Sequence, residues 1–141
     1  MSYEYAVSAC LCGQKVRYDG GCKSIDKWVE LYNQGKVLLI CPETFGGLST
    51  PRNPSEVVGN RVLMNDGEDV TSNFMKGSKR ALAMIQEHPS IHTIVLKEYS
   101  PSCGTHFIYD GSFSGKKITG QGIFARMAIE AGYRVISDEE N

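Results

Sequence analysis

The residues best suited to chemistry in this chain are three of its five cysteines. Cys10, Cys41 and Cys103 each follow shortly after a run of apolar residues that is typical of a buried β-strand. The carboxyl ends of parallel strands meet at one edge of a sheet, where ligands of open α/β proteins bind. If the three strands are parallel neighbours, about 5 Å apart, their cysteines lie close together at that edge.

Three thiolates brought together repel one another, so this convergence predicts a cation between them. Three cysteines leave one coordination position unfilled, which suits an iron-sulfur cluster with one open iron or a catalytic zinc that binds water. The spacing itself is weak support, because 31 and 62 positions (41 minus 10 and 103 minus 41) separate the cysteines and no C-x-x-C pair is present. Each cysteine alone also fits a small buried apolar residue, which is our interpretation of Cys12 and Cys22.

Strands and helices alternate along the chain, which predicts an α/β fold with a mostly parallel, Rossmann-like central sheet flanked by helices. We expect one domain over residues 1–141, since this length buries a sizeable core without disulfides. The order of the strands is not predicted. The expected strands are residues 5–8, 37–40, 93–96 and 133–137, with an edge strand at 61–65. The expected helices are Ser24 (as N-cap) to Gly35, 71–87 and 122–131. Residues 107–120 are expected to form a small loop or a hairpin.

The segment from residue 45 to residue 54 predicts a long loop rich in glycine and proline, which is typical of a functional or disordered segment. Gly46 and Gly47 would let the backbone approach a ligand closely. Arg52 has two interpretations of similar weight, a contact with an anionic or carbonyl group and a solvated surface arginine.

The composition predicts a soluble globular protein with a small-molecule partner. Net charge is −1 and no run of lysine or arginine is present, which argues against an extended nucleic-acid interface. The N-terminus lacks the features of a secretory signal and no apolar run has the length of a membrane span, so we expect a cytoplasmic protein. In that reducing compartment an odd number of cysteines favours ligands, nucleophiles or buried thiols over disulfides. The oligomeric state is not predicted.

Six segments, in order and spacing, resemble the thiouracil desulfurase (TudS) family, a bacterial family, in its short single-domain form. The resemblance covers nearly the whole chain. The segments are S-A-C-L-C-G with R-Y-D-G-G (8–21), C-P-E with G-G-L-S-T-P-R (41–52), G-E-D-V-T (67–71), L-K-E-Y-S-P-S-C-G (96–104), I-Y-D-G-S-F (108–113) and G-Q-G-I-F (120–124).

This resemblance implies an oxygen-sensitive 4Fe-4S cluster held by three cysteines, and an enzyme of sulfur metabolism that removes sulfur from thiolated uracil or a related thio-nucleobase as hydrosulfide. Carried over residue by residue, the cluster ligands are Cys10 of S-A-C, Cys41 of C-P-E and Cys103 of S-P-S-C-G. The strand argument selects the same three. Family members often have cysteine where Val16 stands and leucine where Cys12 stands, so neither position is a required ligand. A role in persulfide handling stays open for them.

The implied activity predicts that an iron without a protein ligand binds the thiocarbonyl sulfur, and that water activated by a carboxylate attacks the carbon. Glu43 is the first candidate for the general acid-base residue. Ser100 and Ser102 are expected to orient that base or to bind the edge of the pyrimidine. In the competing interpretation, Ser100 caps a turn and Glu43 caps a helix. His106 is a further candidate for a proton donor or a ligand.

Two other functions fit the same residues. A non-catalytic iron-sulfur or zinc protein would sense sulfide or redox state through the open coordination position. A cluster-free enzyme would use Cys103 as a nucleophile, and it would keep its activity after Cys10→Ala and Cys41→Ala. Loss of iron and activity in all three alanine variants would exclude that second alternative.

Overall fold

The computed structural model describes residues 2–140, and a four-stranded parallel sheet lies at the centre of this part of the chain. Its strands are β1 (Tyr5–Ser8), β2 (Val37–Ile40), β5 (Thr93–Leu96) and β8 (Arg134–Ser137). They lie in the order β2-β1-β5-β8, so the predicted mostly parallel sheet is confirmed. The helices are α1 (Asp26–Asn33), α2 (Pro42–Phe45), α3 (Thr71–Gln86) and α4 (Ile123–Glu130).

The middle strand β1 pairs with β2 on one side and with β5 on the other, and the register keeps their carboxyl ends level. Val7 lies opposite Leu39 of β2 and Val95 of β5, and Ser8 lies opposite Ile40. The segments that follow these three strands therefore leave the sheet at the same edge. This register brings together three parts of the chain that are far apart in sequence.

Both faces of the sheet are covered, because successive side chains of a strand point to opposite sides. Ala6 and Ile94 belong to a core cluster with α3 and α4, whereas Val7 and Val95 pack with Trp28 of α1. All five side chains are almost fully buried. Burial of a large apolar side chain contributes about 1.5–3 kcal/mol, so the continuous apolar runs of β1 and β5 stabilise a sheet between two helical layers.

Two antiparallel hairpins lie beside the sheet in the described part of the chain. The first pairs β3 (Ser55–Val58) with β4 (Arg61–Met64), and the second pairs β6 (Phe107–Tyr109) with β7 (Lys117–Thr119). The predicted strand at 61–65 and hairpin at 107–120 are confirmed. Strand β3, which contacts β6 of the second hairpin, was not predicted from the sequence.

The expected N-cap of the first helix is wrong. Helix α1 begins at Asp26, and its N-cap is Ile25, without a side-chain hydrogen bond. The reason is a pair of backbone hydrogen bonds, from Lys23 N–H to the Cys10 carbonyl and from Ile25 N–H to the Leu11 carbonyl, which hold residues 23–25 against the turn after β1. The predicted Gly35 end is confirmed, with φ of 76°.

Helices α2 and α3 approach each other so closely that side chains would clash at the contact. A Cβ atom on Gly77 would lie 1.7 Å from the Pro42 carbonyl oxygen, and one on Gly46 would lie 2.0 Å from the Asn73 carbonyl oxygen. The expectation that Gly46 serves a ligand is therefore wrong, since it serves α3. This contact fixes α2, which directly follows Cys41 and carries Glu43.

Within residues 2–140, none of the helices combines the length and the apolar character that crossing a bilayer requires.

Candidate active site

The carboxyl edge of the sheet holds the three predicted cysteines. Cys10 lies in a short 3₁₀ turn that continues β1, Cys41 is the N-cap of α2 after β2, and Cys103 lies in the turn after β5. All three line one cavity with a volume of about 420 Å³. The structure thus brings together the residues that the strand argument selected.

Burial governs the protonation of two of these thiols. The pKa of Cys10 and of Cys103 is raised to about 12, mainly by burial and in smaller part by the nearby Cys41. Arg17 and Lys97 act in the opposite direction on Cys10. Without a bound cation both groups are therefore thiols at neutral pH, and conversion to thiolates requires a positive group in the cavity.

The cysteine set suits an iron-sulfur cluster. Thiolate sulfur is the usual ligand of such clusters, and the cavity that the three cysteines share has room for a group of several atoms. A single zinc ion would need each of its sulfur ligands about 2.3 Å from the metal. In the described part of the chain, His, Cys, Asp and Glu side chains form no group of three or more arranged around one ion.

Glu43 lies beside the cysteines with both carboxylate oxygens engaged. Its Oε1 accepts hydrogen bonds from Arg52 Nε at 3.3 Å and Nη2 at 3.1 Å, and its Oε2 accepts the Ser102 hydroxyl at 2.7 Å. The carboxylate therefore contacts Arg52 and Ser102 rather than capping the amides of α2. Its orientation is fixed from two sides.

Arg52 is a buried residue, with only 5% of its side chain exposed. Besides Glu43 it donates to the carbonyl oxygens of Val16 and Ser49 and to the Thr50 hydroxyl. The interpretation as a solvated arginine is wrong, and the anionic and carbonyl groups that Arg52 contacts belong to the chain itself. The guanidinium ties the loop after α2 and the turn near Val16 to the carboxylate.

Ser100 and Ser102 occupy different positions around Cys103. The Ser100 hydroxyl accepts the Cys103 N–H at 2.7 Å, which is the predicted turn cap, and lies 3.3 Å from the Ser102 hydroxyl. Ser102 is buried, and its oxygen lies 3.6 Å from Cys103 Sγ as well as 2.7 Å from Glu43. A chain of hydroxyl and carboxylate groups therefore runs from the Cys103 turn to Arg52.

Glu98 organises the loop beyond Cys103 and was not predicted as a site residue. This buried residue lines the cavity, and its Oε1 accepts the backbone N–H groups of Thr105 at 2.6 Å and His106 at 3.0 Å, with longer bonds from Tyr99 and Phe107. Its position two residues after β5, at the edge of the sheet that carries the cysteines, was the available signal. A carboxylate in that place stabilises a loop that doubles back on itself.

Three other residues lie away from this chemistry. Cys12 is buried and donates its thiol to the Trp28 carbonyl at 3.6 Å, and Cys22 packs partly buried against the same apolar cluster, as expected for structural thiols. His106 pairs with Glu140 near the chain end, and its ring is half exposed. The structure therefore does not bring His106 to the cavity.

The sequence matches a family model described as 2-thiouracil desulfurase over residues 6–140. The Bacillus subtilis (strain 168) protein YbbK, described as uncharacterized, is 44% identical, and the match covers 95% of each chain. A solved structure described as the 4Fe-4S-dependent thiouracil desulfidase TudS is 40% identical and has a TM-score of 0.93. That match covers 99% of the present chain and 93% of the other.

Proposed function

The chain belongs to the 2-thiouracil desulfurase family, and we propose that it is a 4Fe-4S-dependent enzyme that replaces the sulfur of thiouracil or a related thio-nucleobase with oxygen. The observation that carries the proposal is the shared cavity of Cys10, Cys41 and Cys103, with the hydrogen-bonded pair Glu43 and Ser102 beside it. The solved relative that is described as 4Fe-4S-dependent supports the choice of cofactor.

The sulfur atoms of Cys10, Cys41 and Cys103 would hold the cluster. When bound, it would supply a Lewis-acidic iron that lacks a protein ligand and can polarise the thiocarbonyl sulfur. Arg17 and Lys97 also line the cavity, and both favour the thiolate form of Cys10. These cations offset part of the negative charge that three thiolates bring to the site.

The reaction is a hydrolysis and needs neither an oxidant nor a reductant. The oxygen of a water molecule forms a bond to the thiocarbonyl carbon, the carbon-sulfur bond breaks, and a carbonyl group remains. The sulfur leaves as hydrosulfide with one proton of the water. The second proton needs an acceptor, which must lie within hydrogen-bond distance of the attacking water or be connected to it by one hydroxyl.

Glu43 is the proposed acceptor of that proton. The Ser102 hydroxyl, 2.7 Å from Glu43 Oε2, can receive a proton from water while it passes its own to the carboxylate. Arg52 holds the carboxylate in place through its two donors. Ser100 fixes the backbone of Cys103 and lies next to Ser102. It therefore positions both the cysteine that would bind the cluster and the hydroxyl that passes the proton.

We further infer a small-molecule substrate without extended nucleic-acid binding, one desulfurase domain over residues 1–141, and a cytoplasmic location. A net charge of −1 supports the first inference. All five cysteines, which lie within the described residues, are free thiols, as is usual in a reducing compartment.

The test is anaerobic reconstitution with iron and sulfide, followed by incubation with 2-thiouracil. We expect a broad visible absorbance, and uracil and hydrosulfide in equal amounts. The protein without the cluster is the control and is expected to be inactive. Iron binding without turnover of any thio-nucleobase would favour a sensor, and turnover by the cluster-free protein would favour Cys103 as a nucleophile.

A further inference from the structure

One wall of the cavity comes from the two hairpins rather than from the parallel sheet. Glu56 of β3, Tyr109 of β6 and the loop residues Phe113 and Gly115 line this wall. The mechanism above uses none of them. The hairpins therefore add side chains that can select a substrate without taking part in its hydrolysis.

A buried carboxylate holds the loop between β6 and β7. Glu56 is 8% exposed, and its Oε1 accepts the N–H groups of Gly111 at 2.9 Å and Phe113 at 3.2 Å. Gly111 has φ of 92°, and a Cβ atom there would lie 2.7 Å from the Val57 carbonyl oxygen. The loop is thus held tightly against β3, through a carboxylate that faces the cavity.

Phe113 has an unusual backbone conformation for a bulky residue. Its φ is 56°, in the left-handed region that aromatic residues seldom adopt. Such conformations persist where the surroundings impose them, and they cluster at binding sites. Here the Glu56 bond to the Phe113 N–H and the Asp110 bonds to the Ser112 N–H and hydroxyl impose it.

The ring of Phe113 is free to receive a ligand. The residue is 37% exposed, and its ring has no aromatic or cation-π partner among residues 2–140. By contrast, the Tyr99 ring has the Lys117 ammonium 3.7 Å from its centroid, and its hydroxyl donates to Glu139. Tyr18 also lines the cavity without a ring partner in this range, but it lacks the buried carboxylate that fixes Phe113.

We propose that Phe113 stacks on the face of the thio-nucleobase and that Glu56 is a positioning residue that holds it there. The identity of the ligand rests on the proposed function. A planar heteroaromatic ring offers a π-face that a phenyl ring can cover, and loss of one such stacking contact weakens binding by about 5- to 150-fold. Phe113 thus favours thioamides that form part of a planar heteroaromatic ring over thioamides without such a ring.

The test uses the reconstituted holoenzyme and two measurements, calorimetric binding of uracil and the KM for 2-thiouracil. We expect Phe113→Ala to raise both the uracil Kd and the KM by about 5- to 150-fold, with unchanged iron content and visible spectrum. Phe113→Tyr keeps the ring and should bind like the wild type. Phe107→Ala is the matched control, because its ring lies on the same hairpin, is 45% exposed and does not line the cavity.

Variants of Glu56 separate positioning from direct binding. Glu56→Gln keeps a carbonyl oxygen that can accept the two N–H bonds, so it should bind uracil nearly as well as the wild type. Glu56→Ala should weaken uracil binding as much as Phe113→Ala does. The double variant Glu56→Ala/Phe113→Ala should bind uracil no more weakly than either single variant. If Glu56→Ala fails to fold, the Phe113 variants alone decide.

Unchanged uracil binding in Phe113→Ala would overturn the inference, as would weaker binding in Tyr18→Ala with no effect of Phe113→Ala. A holoenzyme that binds 2-thiouracil through Phe113 but does not desulfurise it would contradict the proposed function and leave the inference standing. A holoenzyme that binds neither pyrimidine would contradict the inference.

Discussion

Replacement of Arg52 by alanine removes one member of a buried ion pair. Only 5% of the Arg52 side chain and 14% of the Glu43 side chain are exposed. In Arg52→Ala, the Glu43 carboxylate keeps the Ser102 hydroxyl as its hydrogen-bond donor, and the Val16 carbonyl loses the Arg52 donor. The variant therefore has a largely buried negative charge without a positive partner.

Loss of one partner from a buried pair costs about 3–5 kcal/mol. An unfolding entropy of roughly 2.1 cal/mol/K per residue over 141 residues converts each kcal/mol into about 3.4 °C. We therefore expect the Tm of Arg52→Ala to fall by about 10–17 °C. Below that Tm, kcat should also fall, because the proposed base is no longer held beside Ser102.

The assay is thermal unfolding of the cluster-free protein under anaerobic, reducing conditions, combined with kcat of the reconstituted protein. Arg52→Lys keeps the charge without the two-donor geometry, so its Tm and kcat should lie between those of the wild type and Arg52→Ala. The double variant Arg52→Ala/Glu43→Ala should lose less stability than the sum of the single variants. A Tm within about 3 °C of the wild type, or additive losses, would refute the reasoning.

Two further predictions concern the packing and hydrogen bonding of the elements around the site. Gly77→Ala puts a Cβ atom 1.7 Å from the Pro42 carbonyl oxygen. It should therefore lower the free energy of unfolding in urea by at least about 1–3 kcal/mol and reduce the iron content. Lys76 is exposed, so Lys76→Ala is the control and should change neither. Hydrogen bonds from Thr71 and Arg61 lower the pKa of Asp69 from 3.8 to about 2. The charged carboxylate therefore stabilises the fold above pH 4, and this contribution is lost as the pH falls through 2. The Tm difference between the wild type and Asp69→Asn should therefore shrink between pH 4 and pH 2; a constant difference would contradict this assignment.

The sequence was sufficient for the parts of the fold that depend on local pattern. The continuous apolar runs identified β1, β2 and β5, and the position of a cysteine after each run located the edge of the sheet that carries the site. The turn residues around Gly35 also indicated the end of α1 correctly. The neighbour order β2-β1-β5 was an assumption in that argument, because strand pairing depends on contacts between distant segments.

The parts that were missed or left open depend on such distant contacts. The sequence leaves two interpretations of Arg52 open, and its burial follows only from the packing of its loop against Glu43 and Val16. Strand β3 follows Pro54 and carries a glutamate, so its pattern is weak until β4 pairs with it. Glu56 then becomes a buried carboxylate because the second hairpin supplies its donors.

The three-cysteine site is the central claim, and the iron and sulfide content of five single alanine variants tests it most directly. After anaerobic reconstitution, Cys10→Ala, Cys41→Ala and Cys103→Ala should each lose the cluster absorbance and the release of hydrosulfide from 2-thiouracil. Cys12→Ala and Cys22→Ala should keep both, since neither thiol lines the cavity that Cys10, Cys41 and Cys103 share. A full complement of iron in any of the first three variants, or its loss in the Cys22 variant, would contradict the account.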